Sequence, residues 1–432
     1  MRKHKLSSHP LITGTLLLTL AGLLSRIIGF FYRIFLSHTI GAEGLGIYQL
    51  IFPIYALTFS LTVAGIQTAI SKFVAEAVAR KRESCTYLYA GLLLSLVLSF
   101  LCTALLYLYA QPLAVHVLDE PRCAPLLRIL SLTVPFGAVH ACINGYYYGL
   151  KRTTVPALSQ LLEQAARVGG VYVLYLISLE KGRPISTEAA VWGLVIGEVA
   201  SVLYSVSCTR FRPGIRTLAP ALGQIFAMAL PLTANRVLIN LLQSVEAIQI
   251  PLRLKEFGYS SSDALSVYGV LTGMAMPMVL FPSVITNSVS VMLLPAISEA
   301  AAKENTCYIR SSVKKSCFYC LTLGFCCTLG FLLFGRLLGR VVFANVLAGT
   351  LLVTLGWICP FLYLTTTLCS ILNGLGRTTL TFLLNLTGCG IRILFVWFFI
   401  PVFGIRAFLI GMLVSYLCEC GAAVLMLRKH LF

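Results

Sequence analysis

Two arginines lie two helical turns apart in the first long apolar run of the chain, GLLSRIIGFFYRIF at residues 22–35, as Arg26 and Arg33. A guanidinium holds phosphate or carboxylate through paired hydrogen bonds. Placed at the centre of a spanning helix, it costs at least roughly 2.5–3.5 kcal/mol on insertion scales. Six of the 33 lysines and arginines lie inside apolar runs: Arg26, Arg33, Arg128, Arg167, Arg236 and Arg392. Arg128 stands near the end of its run, where it can snorkel to the interface; the other five sit deeper. Thr15, Thr19, Gly22, Arg26, Gly29, Arg33 and Ser37 recur at steps of three and four. They form one helical stripe of small, polar and cationic side chains without an acid. Such a stripe belongs on a wet cavity or against a buried partner.

The seventh apolar run has a comparable face, with Arg236, Asn240 and Gln243 at i, i+4 and i+7 and with Asn235 and Glu246 at its edges. Either this face lines a substrate path, or Arg236 and Glu246 neutralise charges on other helices. Arg167 has Glu163 four residues before it, placed for an ion pair within one helix. The matching position before Arg392 is Gly388, so that pair is not repeated. The acids inside the apolar runs are Glu163, Glu198, Glu246 and Glu419. With Glu163 set against Arg167, the opening helices of the two halves carry three arginines against one glutamate. A cavity lined this way holds a positive potential and favours a polyanion, a phosphorylated substrate above all. Glu246 and Glu198 are the candidate ion-coupling carboxylates.

Other chemistry lacks its residues. The histidines are scattered, and no H-E-x-x-H, Walker-type G-x-x-x-x-G-K-[ST] or Ser/Cys-His constellation occurs. The fifteen cysteines lie mostly in apolar runs such as CFYCLTLGFCC (317–327), without zinc spacing. They read as small apolar side chains packed between helices. The expectation is no metal, no cofactor and no ATP hydrolysis.

The elements that carry these residues follow from composition. The chain has 432 residues, 58% hydrophobic and 11% charged, against about 25% charged in soluble domains. That predicts an all-α polytopic membrane protein with about twelve transmembrane helices, among them 221–250, 267–295 and 316–335. The formal net charge of +18 reflects cytoplasmic loops rather than a nucleic-acid partner. With the N-terminus inside, nineteen Lys and Arg fall in cytoplasmic pieces and eight in outer loops, so both termini are expected in the cytoplasm.

The chain repeats itself. NGYYYGLKRTT (144–154) is echoed by NGLGRTT (373–379), and beyond them an offset of 225 pairs Arg152 with Arg377, Gln160 with Asn385 and Arg167 with Arg392. AIS at 69–71 is echoed at 296–298. Two pseudo-symmetric six-helix lobes around a central cavity follow, 1–212 and 213–432. Six is even, so the repeat is parallel, a plan of alternating-access transporters.

The opening residues SRIIGFFYR, GAEGLGIYQLIFP and AGIQTAIS, within 14–76, resemble the start of the stage V sporulation protein B family. Its members are polysaccharide-biosynthesis flippases of the multidrug/oligosaccharidyl-lipid/polysaccharide exporter superfamily. The resemblance continues more loosely through both lobes. It implies a cell-membrane flippase for an undecaprenyl-pyrophosphate-linked saccharide of the peptidoglycan-precursor kind, active in cell-wall synthesis and sporulation. Related lipid II flippases carry S-R-x-x-G-F-x-R on the first helix, with arginines serving the head-group cavity. Ser25, Arg26, Gly29 and Phe30 match, and Arg33 is displaced by one residue. Those flippases also have two further C-terminal helices, beyond the twelve counted here.

The expected function is therefore non-enzymatic flipping, with the anionic head group on Arg26, Arg33, Arg236, Asn240 and Gln243. The expected partners are the lipid-linked saccharide, membrane lipids and cell-wall synthesis enzymes. A cation-coupled multidrug exporter is the alternative, which would favour acidic walls. A membrane polymerase or glycosyltransferase would need carboxylates in a large outer loop, whereas Asp119, Glu120 and Asp263 stand in short ones.

Overall fold

Proline, glycine and short polar turns cut the apolar chain into helices. The computed structural model describes residues 10–182, 184–209 and 218–431. Arg2, Lys3, Lys5, Arg183, Arg210, Arg212, Arg216, the boundary at 212–213 and the side chains of Thr15 and Lys429 lie outside the described residues. The helices are α1 (Pro10–Thr39), α2 (Gly41–Ala79), α3 (Cys85–Leu108), α4 (Cys123–Gly149), α5 (Thr154–Glu180), α6 (Thr187–Cys208) and α7 (Leu218–Glu256). After them come α8 (Ser261–Leu280), α9 (Ser283–Ala302), α10 (Thr306–Phe343), α11 (Val346–Gly374), α12 (Thr378–Phe403) and α13 (Ile405–Leu431).

Eleven of these helices are long and apolar enough to cross a membrane. At 27 residues α5 matches them in length but carries Glu163 and Arg167. The chain is an all-helical polytopic membrane protein. The run expected as one segment over 267–295 is instead broken between α8 and α9. Pro282 has no N–H to continue the ladder, and its ring crowds the preceding turn. At 39 and 38 residues, α7 and α10 overrun the apolar windows 221–250 and 316–335. A helix of 39 residues is about 58 Å long, more than the roughly 40–45 Å bilayer, so their charged ends stand clear of it.

The described parts of Met1–Tyr32 and Leu50–Ser244 form one compact unit, and those of Arg33–Gln49 and Val245–Phe432 form a second. In the first, Ile66, Ile70 and Val74 of α2 pack with Leu88 of α3, Ile143 and Tyr147 of α4 and Ile225 of α7. In the second, Ile297 of α9 packs with Cys320 of α10, Leu368 and Ile371 of α11, Leu384 of α12 and Leu427 of α13. Seven of the fifteen cysteines are buried and all are free thiols.

The repeat extends to the backbone. Ten described residues have a left-handed φ, five in each half: Gly41, Lys81, Asp119, Lys151 and Gly182, then Gly258, Glu304, Ala344, Gly376 and Gly404. Asp119 with Ala344 and Lys151 with Gly376 stand at the offset of 225. Hydrogen bonding follows suit: Glu120 N–H donates to Ala114 O as Asn345 N–H does to Gly339 O, and Arg152 N–H to Tyr147 O as Arg377 N–H does to Leu372 O.

Candidate functional site

In the first unit a polar cluster forms where α6 presses against α5. Gly193 and Gly197, four residues apart, let the two backbones approach; a Cβ on Gly197 would stand 2.8 Å from Glu163 O. The next residue, Glu198, is 5% exposed. Tyr55 of α2 donates its hydroxyl to Glu198 Oε1 at 3.2 Å, and His140 Nδ1 of α4 lies 3.4 Å from Glu198 Oε2. The other ring nitrogen of His140 meets Ser159 Oγ at 3.1 Å. On α5, Arg167 donates to Glu163 across one turn, the intrahelical pair that the spacing predicts. One ligand atom each from His140, Glu163 and Glu198 lies within 4.8 Å of the others. These are the donors that could hold a cation. Arg167 already balances one of the two carboxylates.

The second unit balances its arginine differently. Arg392 Nε of α12 donates to Glu246 Oε1 of α7 at 2.9 Å, and Nη1 donates to Ser415 Oγ of α13 at 3.0 Å. Glu419 Oε1 is 3.6 Å from Nη1, and its carboxylate accepts from Ser415 Oγ at 3.1 Å. The guanidinium lies 5.9 Å from the Tyr416 ring. Gly388 makes this possible, because a Cβ there would stand 1.5 Å from Glu419 Oε1. Where the first repeat places Glu163 on the arginine's own helix, the second leaves a gap, and a carboxylate from α13 fills it. Both clusters hold two glutamates to one arginine.

The expected substrate residues are placed as follows. Arg26 of α1 and Arg236 of α7, both in the first unit, are exposed and have no hydrogen-bond or ion-pair partner among the described residues. Gln243 is exposed on the same α7 face. Asn240, between them in sequence, donates to Ser60 Oγ and, at 3.5 Å, to Ala56 O of α2. Ser60 opens a π-helical turn at Ser60–Ala64. Four residues on, Ser244 donates to Pro53 O at 3.1 Å. Asn240 is thus engaged in fastening α7 to α2. Arg33 belongs to the second unit, where Nη1 donates to Thr272 O of α8 at 3.5 Å. Glu246 and Glu198 occupy the two clusters. Sequence reasoning passed over His140, Tyr55 and Ser415, whose polar side chains sit among apolar neighbours without a helical-face pattern. It counted Glu419 but gave it no partner.

The described chain matches the family model described as polysaccharide biosynthesis protein over residues 11–301. It is 31% identical over 352 residues to the stage V sporulation protein B of Bacillus subtilis (strain 168), covering 79% of this chain and 68% of that one. A solved structure of the lipid II flippase MurJ, inward closed, has a TM-score of 0.73 at 16% identity, over 96% of this chain and 87% of the other. An inward-facing multidrug resistance MATE family transporter of the MOP superfamily has a TM-score of 0.70 at 15% identity, over 95% and 94%. Those two likenesses establish the shared fold.

Proposed function

Because the chain belongs to the polysaccharide biosynthesis protein family, we propose that it is a flippase for an undecaprenyl-pyrophosphate-linked saccharide, working by alternating access and without enzymatic chemistry. The observation that carries this reading is the division among the deep arginines. Arg167 and Arg392 are neutralised by glutamates, whereas Arg26 and Arg236 are exposed and unpartnered among the described residues. An unpaired guanidinium in an apolar span is costly, and an anionic head group is the ligand that offsets the cost. Arg33, Asn240 and Gln243 complete the proposed set. The likeness to MurJ, a lipid II flippase, supports a lipid-linked substrate. In this proposal both termini are cytoplasmic, and the flipped product feeds cell-wall synthesis enzymes. A multidrug exporter for cations would want free acids, yet Glu163, Glu198, Glu246 and Glu419 each have a polar or cationic partner.

Glu198 and Glu246 are the proposed coupling carboxylates, one from each cluster, in which two glutamates accompany a single arginine. The test is reconstitution in liposomes with a lipid-linked saccharide, following head-group access from each leaflet. Arg26→Ala is expected to weaken binding by roughly 1.5–3 kcal/mol, the worth of one charge-assisted contact. Arg26→Lys rescues poorly if the bidentate fork matters. Normal affinity and flipping by Arg26→Ala, at matched membrane abundance, would overturn the assignment. If Glu198→Gln and Glu246→Gln both transport with unchanged pH dependence, neither couples an ion.

A further inference from the structure

A cleft of about 550 Å³ opens in the second unit between α10, α11 and α13, a volume in the range of ligand-holding clefts (about 300–1,000 Å³). Its rim is cationic. Arg310 and Lys314 stand at i and i+4 on α10, Arg428 reaches in from the end of α13, and no acid is among the described residues of the wall. All three are exposed. The floor is apolar, with Leu368 and Leu427 fully buried beneath it. Of the lining residues Val424 is 45% exposed, and Phe318, Tyr319 and Leu425, which follow the lining residues Cys317 and Val424 in sequence, are each about two-thirds exposed. Large apolar side chains left uncovered on spanning helices face hydrocarbon. The cations lie at the start of α10 and the end of α13, the level of a membrane surface, so the cleft has a charged top and a greasy base.

We propose that this cleft binds an anionic phospholipid, with its phosphate against Arg310, Lys314 and Arg428 and the first part of an acyl chain on the Leu368–Leu427 floor. Charge complementarity selects an anion, and the apolar floor selects one that carries a hydrocarbon chain. A free phosphate would use the rim and waste the floor. Basic pockets between spanning helices hold acidic lipid head groups by these two terms together. The cleft belongs to the second unit, whereas Arg26 and Arg236 belong to the first, and the proposal does not depend on the flipping reading.

The cleft carries its own reporter, because Cys317 is part of its wall while Cys326 and Cys418 are exposed elsewhere. The full chain would be placed in nanodiscs of phosphatidylcholine alone, or of phosphatidylcholine with phosphatidylglycerol. Maleimide modification of each cysteine would be followed by peptide mass spectrometry. Phosphatidylglycerol is expected to slow Cys317 relative to Cys326 and Cys418, and high salt to restore its rate. Each of Arg310→Gln, Lys314→Gln and Arg428→Gln should reduce the occupancy behind that protection by about fivefold. Equal Cys317 rates in the two lipid mixtures would overturn the proposal. So would protection that survives the triple substitution, or equal protection by soluble glycerol phosphate, which would mark a free-anion site. The wild-type lipid comparison stands by itself should the triple variant fold poorly.

Discussion

Replacing Gly388 by alanine tests how the second arginine is balanced. The added Cβ would stand 1.5 Å from Glu419 Oε1 and 2.5 Å from its carboxyl carbon. The obstacle is the far end of a flexible side chain, so steric relief is easy: Glu419 swings away. The cost is electrostatic. Glu419 loses its hydrogen bond from Ser415 at 3.1 Å and its approach to Arg392 at 3.6 Å, and a buried carboxylate is left without either partner. One hydrogen bond to a charged group is worth about 1.5–3 kcal/mol, and breaking a buried pair costs up to about 3–5 kcal/mol. Because Arg392 keeps Glu246, the expected loss is about 2–3 kcal/mol. At roughly 2–4 °C per kcal/mol for a unit of this size, the unfolding midpoint in detergent should fall by about 5–10 °C. In a Glu419→Ala background the same Gly388→Ala change should cost little. Additivity of the two changes, to within about 0.5 kcal/mol, would refute the reasoning. The pair Gly388→Glu with Glu419→Gly imitates the first repeat, where Glu163 faces Gly197, and should recover stability that Glu419→Gly alone loses.

Lys151→Gly should raise stability by about 0.5–1 kcal/mol, because Lys151 holds a left-handed φ of 57° that glycine adopts freely; Gly376→Lys should lower it, and thermal midpoints compare the two. Asn240→Ala should cost about 1 kcal/mol through the lost α2–α7 bond, and Ser60→Ala added to it should cost little more; independent losses would mean the bond is idle. A cysteine placed at Lys81 should react with an impermeant maleimide only when the cytoplasmic face is opened, and labelling from outside would reverse the proposed orientation.

What was legible in the sequence depended on how far apart the partners stand. The pair of Glu163 with Arg167 is local, so one turn of helix geometry predicts it. Arg392 could not be placed in that way. Its partners are Glu246, 146 residues earlier, and residues of α13, and only the packed helices bring them together. The clue was Gly388, which reads as a missing acid in sequence and as room for one in space. Spanning helices were legible from apolar content, while their true lengths were not: the charged ends of α7 and α10 continue as helix because nothing local stops them. The break at Pro282 was hidden inside a continuous apolar run. Asn240 shows the limit of face patterns, since its helical stripe is equally compatible with a ligand and with the π-helical turn of α2.

The second compact unit includes residues 33–49 from early in the chain, and there Gly46 and Gly269 meet backbone to backbone, a Cβ on Gly46 standing 2.0 Å from Leu265 O and one on Gly269 2.3 Å from Ala42 O. Had the two repeats begun as separate ancestral proteins, this segment marks how far their independence has been lost. A gene encoding only the later repeat would leave the Leu265–Gly269 backbone without the strip of chain that now covers it. Any lineage that split the gene again would first have to invent a replacement for seventeen residues at the other end of the reading frame. If duplication made the two repeats alike, that one segment would make the fusion hard to reverse.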